Sequence, residues 1–346
     1  MKFSLQSISA LLFSALFLAL CTSCERKRNL VVYNGQALGT SYQLQFYAPE
    51  RFDLVKQFDS TITAINKSMS TYQPDSDISR INAGDSTVVV DAMFKEVFAL
   101  AQQVYNATDG YYDPTVGVLA NAYGFGPDKP LKKLDSITID SLMQYVGLDK
   151  LTISPQGKLQ KNTEHIYLDF NSIAKGYCID RIGKMLEQNG VEDYLIEIGG
   201  ELLAKGKNLD KNQSWRVGIE NINAPVEQRT YTEAVSLHDK GMAGSGNYRK
   251  YRQDSVTGKK YVHTINPITG SGEQSDVLSA TVIAPTCAEA DAWATAFMAL
   301  GFERSKAVIA KNKDLAAYLM YSDQTEDSVS VYVSERFKPY LIEPNK

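Results

Sequence analysis

In Leu168-Asp169-Phe170-Asn171-Ser172-Ile173-Ala174-Lys175-Gly176-Tyr177 an apolar run gives way to a helical period. His165 to Phe170 reads as a short buried strand. Asn171 or Ser172 then caps a helix that runs to about Asn189 and stops at Gly190. Ile173, Tyr177, Ile182 and Leu186 keep roughly helical spacing and give that helix one apolar face. Ala174 and Gly176 leave its first turn almost without side chains, so a ligand has room to approach the backbone. Free N–H groups at a helix start attract anions, and Lys175 adds a full positive charge there. Asp169, just before the helix, can accept hydrogen bonds from a ring or a ribose. A plain β–α junction with one buried Asp as its cap has the same local features.

A second stretch has matching chemistry: Thr286-Cys287-Ala288-Glu289-Ala290-Asp291-Ala292-Trp293-Ala294-Thr295. Thr286 and Glu289 have capping-box spacing, so a helix starts here, and Gly301 ends it. Asp291 and Thr295 are four apart and share one helical face. A carboxylate and a hydroxyl one turn apart are hard oxygen donors suited to Mg2+ or Ca2+. An exposed Asp beside a Thr bonded back to its own helix would look the same in sequence.

At 346 residues and 44% apolar composition, the chain is long enough for a substantial core. The formal net charge is −4 and no basic block occurs, so a nucleic-acid partner lacks electrostatic support. Lys2 followed by an apolar run from Ile8 to Leu20 reads as a targeting segment, too short to span a bilayer. It ends in Cys21-Thr22-Ser23-Cys24, where small residues before a cysteine look like a bacterial lipoprotein cleavage box. Cys24 is the expected lipidated residue, ahead of Cys21, which bulky Leu20 precedes. Residues 1–23 are then a lipoprotein signal peptide, 24–29 a tether and 30–346 one domain. Its removal leaves 35 basic against 40 acidic side chains, a net −5. The expected location is the cell envelope, lipid-anchored and facing the periplasm. Cys178 and Cys287 read as buried free thiols, and three histidines without Cys/His spacing give zinc no support.

Helical periods cover Phe52 to Lys67, Asp91 to Thr108, Asp140 to Val146 and Phe302 to Lys311, and Asp113-Pro114 opens a short helix with proline first. Strands are expected at 30–33, 42–47, 194–198, 201–204, 215–220, 230–237, 248–253, 260–265 and 279–284. Leu315 to Tyr321 and Val329 to Ser334 form a closing hairpin. Met69 to Asp77 and Tyr123 to Pro130 are loops. Strands and helices in no regular alternation indicate α+β with a largely antiparallel sheet. Gly244-Ser245-Gly246 lacks the third glycine and following helix of a dinucleotide fingerprint and reads instead as a tight turn lining a site wall.

These features resemble the ApbE-type flavin transferases, the FAD:protein FMN transferases. The likeness continues through Leu38-Gly39-Thr40-Ser41-Tyr42, through Met69-Ser70-Thr71-Tyr72-Gln73-Pro74-Asp75-Ser76-Asp77-Ile78-Ser79-Arg80 and through Asp109-Gly110-Tyr111-Tyr112-Asp113-Pro114-Thr115-Val116-Gly117. It goes on through Tyr123-Gly124-Phe125-Gly126, Ile198-Gly199-Gly200-Glu201, Ser245-Gly246-Asn247-Tyr248-Arg249 and His263-Thr264-Ile265-Asn266-Pro267-Ile268-Thr269-Gly270, in the family's order. The resemblance implies a T-fold-like core, FAD as substrate and Mg2+ on its pyrophosphate. It also implies transfer of the FMN half to a Ser or Thr hydroxyl of an acceptor flavoprotein, membrane redox-complex subunits among them, with release of AMP. Such a transfer depends on charge neutralisation at the phosphates and an in-line nucleophile. Carried over residue by residue, Asp291 and Thr295, with backbone carbonyls of Ser172 and Ala294, would bind Mg2+. Lys175 would neutralise phosphate charge and Asp169 would anchor the nucleoside or flavin. Leu38, Tyr72, Tyr111, Tyr112, Asp113 and Ile265 would touch FAD.

His263 is the expected catalytic base: imidazole has a near-neutral intrinsic pKa, and residues two apart on a strand share a face, which would bring it to the pocket of Ile265. The chain departs from the family pattern with Leu38 for a usual Met, Ser172 for Gly or Ala, and Gly244 for Thr. An FAD pyrophosphatase that uses the same metal, and a non-enzymatic flavin-binding lipoprotein, are the rival readings.

Overall fold

A computed structural model of the protein describes residues 28–49, 52–131, 133–222, 224, 230–247, 251–253, 258–323 and 328–343. The signal peptide, Cys24 and most of the tether lie outside the described residues, as do Tyr248 and Arg249. No helix among the described residues is long and apolar enough to cross a membrane.

The chain runs through β1 (Asn29–Ala37), β2 (Thr40–Ala48), α1 (Val55–Met69), α2 (Asp77–Asn82), α3 (Ala92–Ala107), α4 (Gly117–Tyr123) and α5 (Ser136–Met143). There follow β3 (Leu151–Ile153), β4 (Leu159–Lys161), α6 (Ala174–Gln188), β5 (Tyr194–Ile198), β6 (Glu201–Lys205), β7 (Trp215–Glu220), β8 (Tyr231–Leu237) and β9 (Lys240–Gly246). The last elements are β10 (Tyr251–Gln253), β11 (Lys260–Val262), β12 (Val277–Ala284), α7 (Cys287–Leu300), α8 (Phe302–Lys311), β13 (Ala316–Asp323) and β14 (Ser328–Val333).

One eight-stranded sheet, in the order β1-β2-β5-β6-β9-β12-β13-β14, organises the molecule, and each neighbouring pair is antiparallel. The α+β expectation holds. Side chains alternate across the sheet as the pleat requires. Ala243, Val282 and Leu319 enter the main core under the helices, whereas Met242, Ile283 and Tyr318 enter a second core on the far face. The β7–β8 hairpin contributes Trp215, Ile219, Val235 and Leu237 to that second core. A third, smaller cluster joins Leu119 and Tyr123 of α4 to Val146 and Ile265, forming a lobe beside the sheet.

Several boundaries shift for identifiable reasons. Asp113 is not the opening of a helix with Pro114 first. Its Oδ1 accepts from the N–H (2.8 Å) and hydroxyl (2.6 Å) of Thr115, a local turn that delays α4 to Gly117. Asp135 caps α5 by accepting from Thr138 N–H, which starts that helix earlier than the expected Asp140. β11 ends at Val262, so His263 and Ile265 lie beyond the strand and the two-residue pleat rule does not relate them. The largest difference is β9. Lys240–Gly246, three of whose residues are glycine, is a strand inside the sheet between β6 and β12, not a turn. A Cβ on Gly241 would lie 2.4 Å from the Cys287 nitrogen, so glycine there lets the start of α7 rest on the sheet.

Candidate active site

α7 is held at its start by the expected capping box. Thr286 Oγ1 accepts from Glu289 N–H at 3.2 Å, and the Glu289 carboxylate accepts from Thr286 N–H at 3.2 Å. The next two amides, of Cys287 and Ala288, donate to Asp180 Oδ1 (2.8 Å) and Oδ2 (2.9 Å) from α6. Burial pushes the Asp180 carboxyl up to about 7, against the pull of those two donors. Its folded pKa lies above the ordinary aspartate value of 3.8, so the folded state holds this proton longer. The stability it contributes is full below about pH 4 and is lost as the pH rises to about 7. Asp180→Asn should therefore flatten thermal stability against pH across that window in a series of melts; a slope equal to wild type would assign the dependence to another group.

α6 meets α7 at Gly176. Its N–H donates to Asp291 Oδ2 at 3.1 Å, and an added Cβ would sit 2.4 Å from the Cys287 carbonyl oxygen. Glycine is required here by helix packing, not to admit a ligand. Gly176→Ala should cost roughly 1–3 kcal/mol of stability by overpacking, read by urea unfolding, and should weaken the bond to Asp291. An unchanged unfolding midpoint would mean that the two helices separate freely.

Around that crossing lies a buried charge cluster. Lys175 Nζ is 2.6 Å from Glu201 Oε2, and the carboxylates of Glu201 and Asp291 are both buried. Burial works to lower the Lys175 pKa, but Glu201 and Asp291 outweigh it and hold it above the ordinary lysine value. Burial likewise pushes Glu201 up to about 7 against the attraction of Lys175, and raises Asp291 against Lys175 and the Gly176 N–H. One lysine faces two carboxylates. The imbalance favours an added cation, and the donors available to one are hard oxygens. Thr295 Oγ1 lies 3.3 Å from Ser245 Oγ on β9, one turn along α7 from Asp291. Ala294 is buried in mid-helix, and among the described residues no three His, Cys, Asp or Glu side chains group as metal ligands. Backbone carbonyls, water and a ligand's phosphate would have to complete the coordination, as Mg2+ sites commonly allow.

Asp169 approaches this cluster from a segment that is not a strand. Leu168 is pinned on both sides by the Asn82 side chain (2.8 and 2.9 Å), and the Asp169 N–H donates to Pro114 O at 2.8 Å. Neither Asn171 nor Ser172 caps α6: the N-cap is Ile173, without a side-chain bond. Asn171 instead donates from its backbone (2.8 Å) and side chain (3.0 Å) to the Asp169 carboxylate, and the Ser172 hydroxyl donates to the Tyr112 oxygen at 3.1 Å. Burial raises Asp169 to about 6 in spite of Asn171. The buried Tyr112 hydroxyl is raised by burial, and the charges of Asp291, Asp113 and Asp169 add to the effect. Tyr72 leaves 63% of its surface exposed in the loop Ser70–Ser76, with Asp169 near enough to act on its hydroxyl.

A model of the ApbE family matches residues 38–319. The chain belongs to the ApbE family. Curated relatives named FAD:protein FMN transferase include those of Haemophilus influenzae, 33% identical over 96% of this chain and 97% of the relative, and Vibrio cholerae, 34% identical over 94% and 96%. The solved flavin transferase ApbE of V. cholerae superposes with a TM-score of 0.80 at 31% identity, covering 91% of this chain and all of that one. The Thermotoga maritima ApbE protein, at 23% identity and a TM-score of 0.78, shares the fold.

Within this ApbE framework the expected residues divide. Asp169, Ser172, Tyr112, Lys175, Asp291 and Thr295 gather at the α6–α7 crossing. Asp113 serves as a buried scaffold, its Oδ2 accepting from Leu148 N–H at 3.1 Å. Tyr111 stacks under Arg304 at 5.1 Å and lines a cleft of about 710 Å3 with Trp293, two residues round α7 from Asp291. Ile265 is buried in the small lobe, and His263 meets Phe125 edge-on at 6.4 Å. Leu38 occupies the β1–β2 turn with φ 52°, followed by Gly39 at 76°. Left-handed leucine is strained, while that turn geometry suits a hairpin. Glu201 carries no assigned role in the sequence reading, although it sits within Ile198-Gly199-Gly200-Glu201. A strand-turn acid gives no sign in sequence that it reaches a lysine on α6.

Proposed function

We propose that this ApbE-family protein is an FAD:protein FMN transferase that moves the FMN half of FAD to a Ser or Thr hydroxyl of an acceptor protein and releases AMP. The observation that carries this reading is the buried cluster in which Lys175 faces both Asp291 and Glu201 at the α6–α7 crossing. Relatives matched along almost their whole length bear the transferase name, which supports it. Mg2+ held by Asp291, Thr295 and the carbonyls of Ser172 and Ala294 would neutralise charge on the pyrophosphate. Lys175 swings from Glu201 toward a phosphate oxygen, Asp169 accepts hydrogen bonds from the nucleoside or flavin, and the exposed Tyr72 ring offers a stacking face. His263 takes the proton of the acceptor hydroxyl.

The test is incubation with FAD, Mg2+ and a candidate acceptor, with covalent flavin and AMP counted together. Equal amounts are expected. AMP and free FMN without labelled protein would make the enzyme a hydrolase, and unchanged FAD would make it a binder.

We further propose that residues 1–23 are removed and that Cys24 carries the lipid, which holds the enzyme on the periplasmic side of the membrane. Cys24→Ser should release it into the soluble fraction or block processing. Unchanged membrane association with a mature N-terminus elsewhere would contradict this.

A further inference from the structure

Asn247 follows the last residue of β9, is only 2% exposed, and its Oδ1 has no hydrogen-bond partner among the described residues. A buried acceptor without a donor is destabilising, and native proteins leave few of them. Its position follows from the strand. Gly241 lies against Cys287, Ala243 enters the main core and Ser245 reaches Thr295, so alternate residues of β9 face α7 and run alongside it. The Asn247 N–H donates to Leu278 O at 3.4 Å, one residue past the end of the β9–β12 pairing. Asn247 is therefore two residues along the chain from Ser245, within roughly 7 Å of it.

We propose that Asn247 is a substrate-binding residue whose amide oxygen accepts a hydrogen bond from a sugar-alcohol hydroxyl of the dinucleotide, next to the pyrophosphate held at Asp291 and Thr295. This rests on reading the site as an FAD site. At that separation from the pyrophosphate the nearest donors are hydroxyls, on the ribityl chain of the FMN half or the ribose of the AMP half. The flavin imide and the adenine amino group lie farther out. A hydroxyl supplies the donor that the fold leaves out, and Ser245 beside Thr295 extends the same polar wall.

Asn247→Leu is near-isosteric and removes the acceptor. In thermal melts without ligand the variant should be as stable as wild type or more so, because the unpaired oxygen is gone. In fluorescence or dialysis titrations with Mg2+, its Kd for FAD should rise about tenfold or more. FMN and ADP as separate probes locate the hydroxyl: weakening confined to FMN assigns the ribityl chain, and weakening confined to ADP assigns the ribose. If the leucine variant does not fold, Asn247→Ala supplies the same affinity comparison. FAD binding equal to wild type in the folded variant overturns the proposal, whatever its stability. A wild-type protein that binds no FAD overturns the functional reading itself, a separate result.

Discussion

Asp291→Asn should lower FMN transfer by at least about 10²-fold while leaving the protein folded. The asparagine oxygen can still accept the Gly176 N–H, now 3.1 Å from Asp291 Oδ2, so the α6–α7 crossing keeps its hydrogen bond. The cluster loses one of its two carboxylates and leaves Lys175 balanced by Glu201 at 2.6 Å. Stability without metal should thus be equal to wild type or higher, since the variant removes a buried charge that burial already disfavours. Transfer is what suffers. A metal ion on a phosphate site supplies several kcal/mol of transition-state stabilisation, and each ~1.4 kcal/mol is tenfold in rate. The wild type should also melt higher as Mg2+ is added, by mass action, and the variant should lose that increment. Wild-type turnover by the variant at limiting Mg2+ would remove Asp291 from the metal site.

His263→Ala should retain FAD and Mg2+ binding and lose transfer rate by ~10²–10⁴-fold, the usual range for a positioned general base. An acceptor hydroxyl is too weakly acidic to ionise near neutral pH, so a base that takes its proton acts on the step itself. His263 lies outside β11, in the lobe with Phe125, and not on the sheet or helices that carry Lys175 and Asp291. Its removal should spare the charge cluster. If FAD binding disappears instead, His263 is a ligand contact; if transfer proceeds normally, another group accepts the proton.

What could be read in the sequence was whatever a local pattern determines. The Thr286/Glu289 capping box fixes where α7 begins, and the four-residue spacing of Asp291 and Thr295 places them on one face. The β13–β14 hairpin follows from two apolar strands in succession. What escaped depends on tertiary contact. β9 has three glycines in seven residues, one of them Gly241 under the start of α7, so it shows neither strand composition nor an apolar alternation. Leu168 and Asp169 have strand-like composition, yet their backbone groups are taken by the Asn82 side chain and by Pro114 instead of a ladder. The Lys175–Glu201 pair joins α6 to β6, and only the fold brings them together. The candidate site is therefore legible as a set of residues and illegible as a charge balance.

Crystals grown with FAD and with Mn2+ in place of Mg2+ give the most direct test of where the chemistry happens. Diffraction at a wavelength where manganese scatters anomalously should show one peak between Asp291 and Thr295, touching the pyrophosphate, with Lys175 Nζ turned from Glu201 toward a phosphate oxygen. A peak elsewhere, or FAD bound with no metal beside Asp291, would contradict the account.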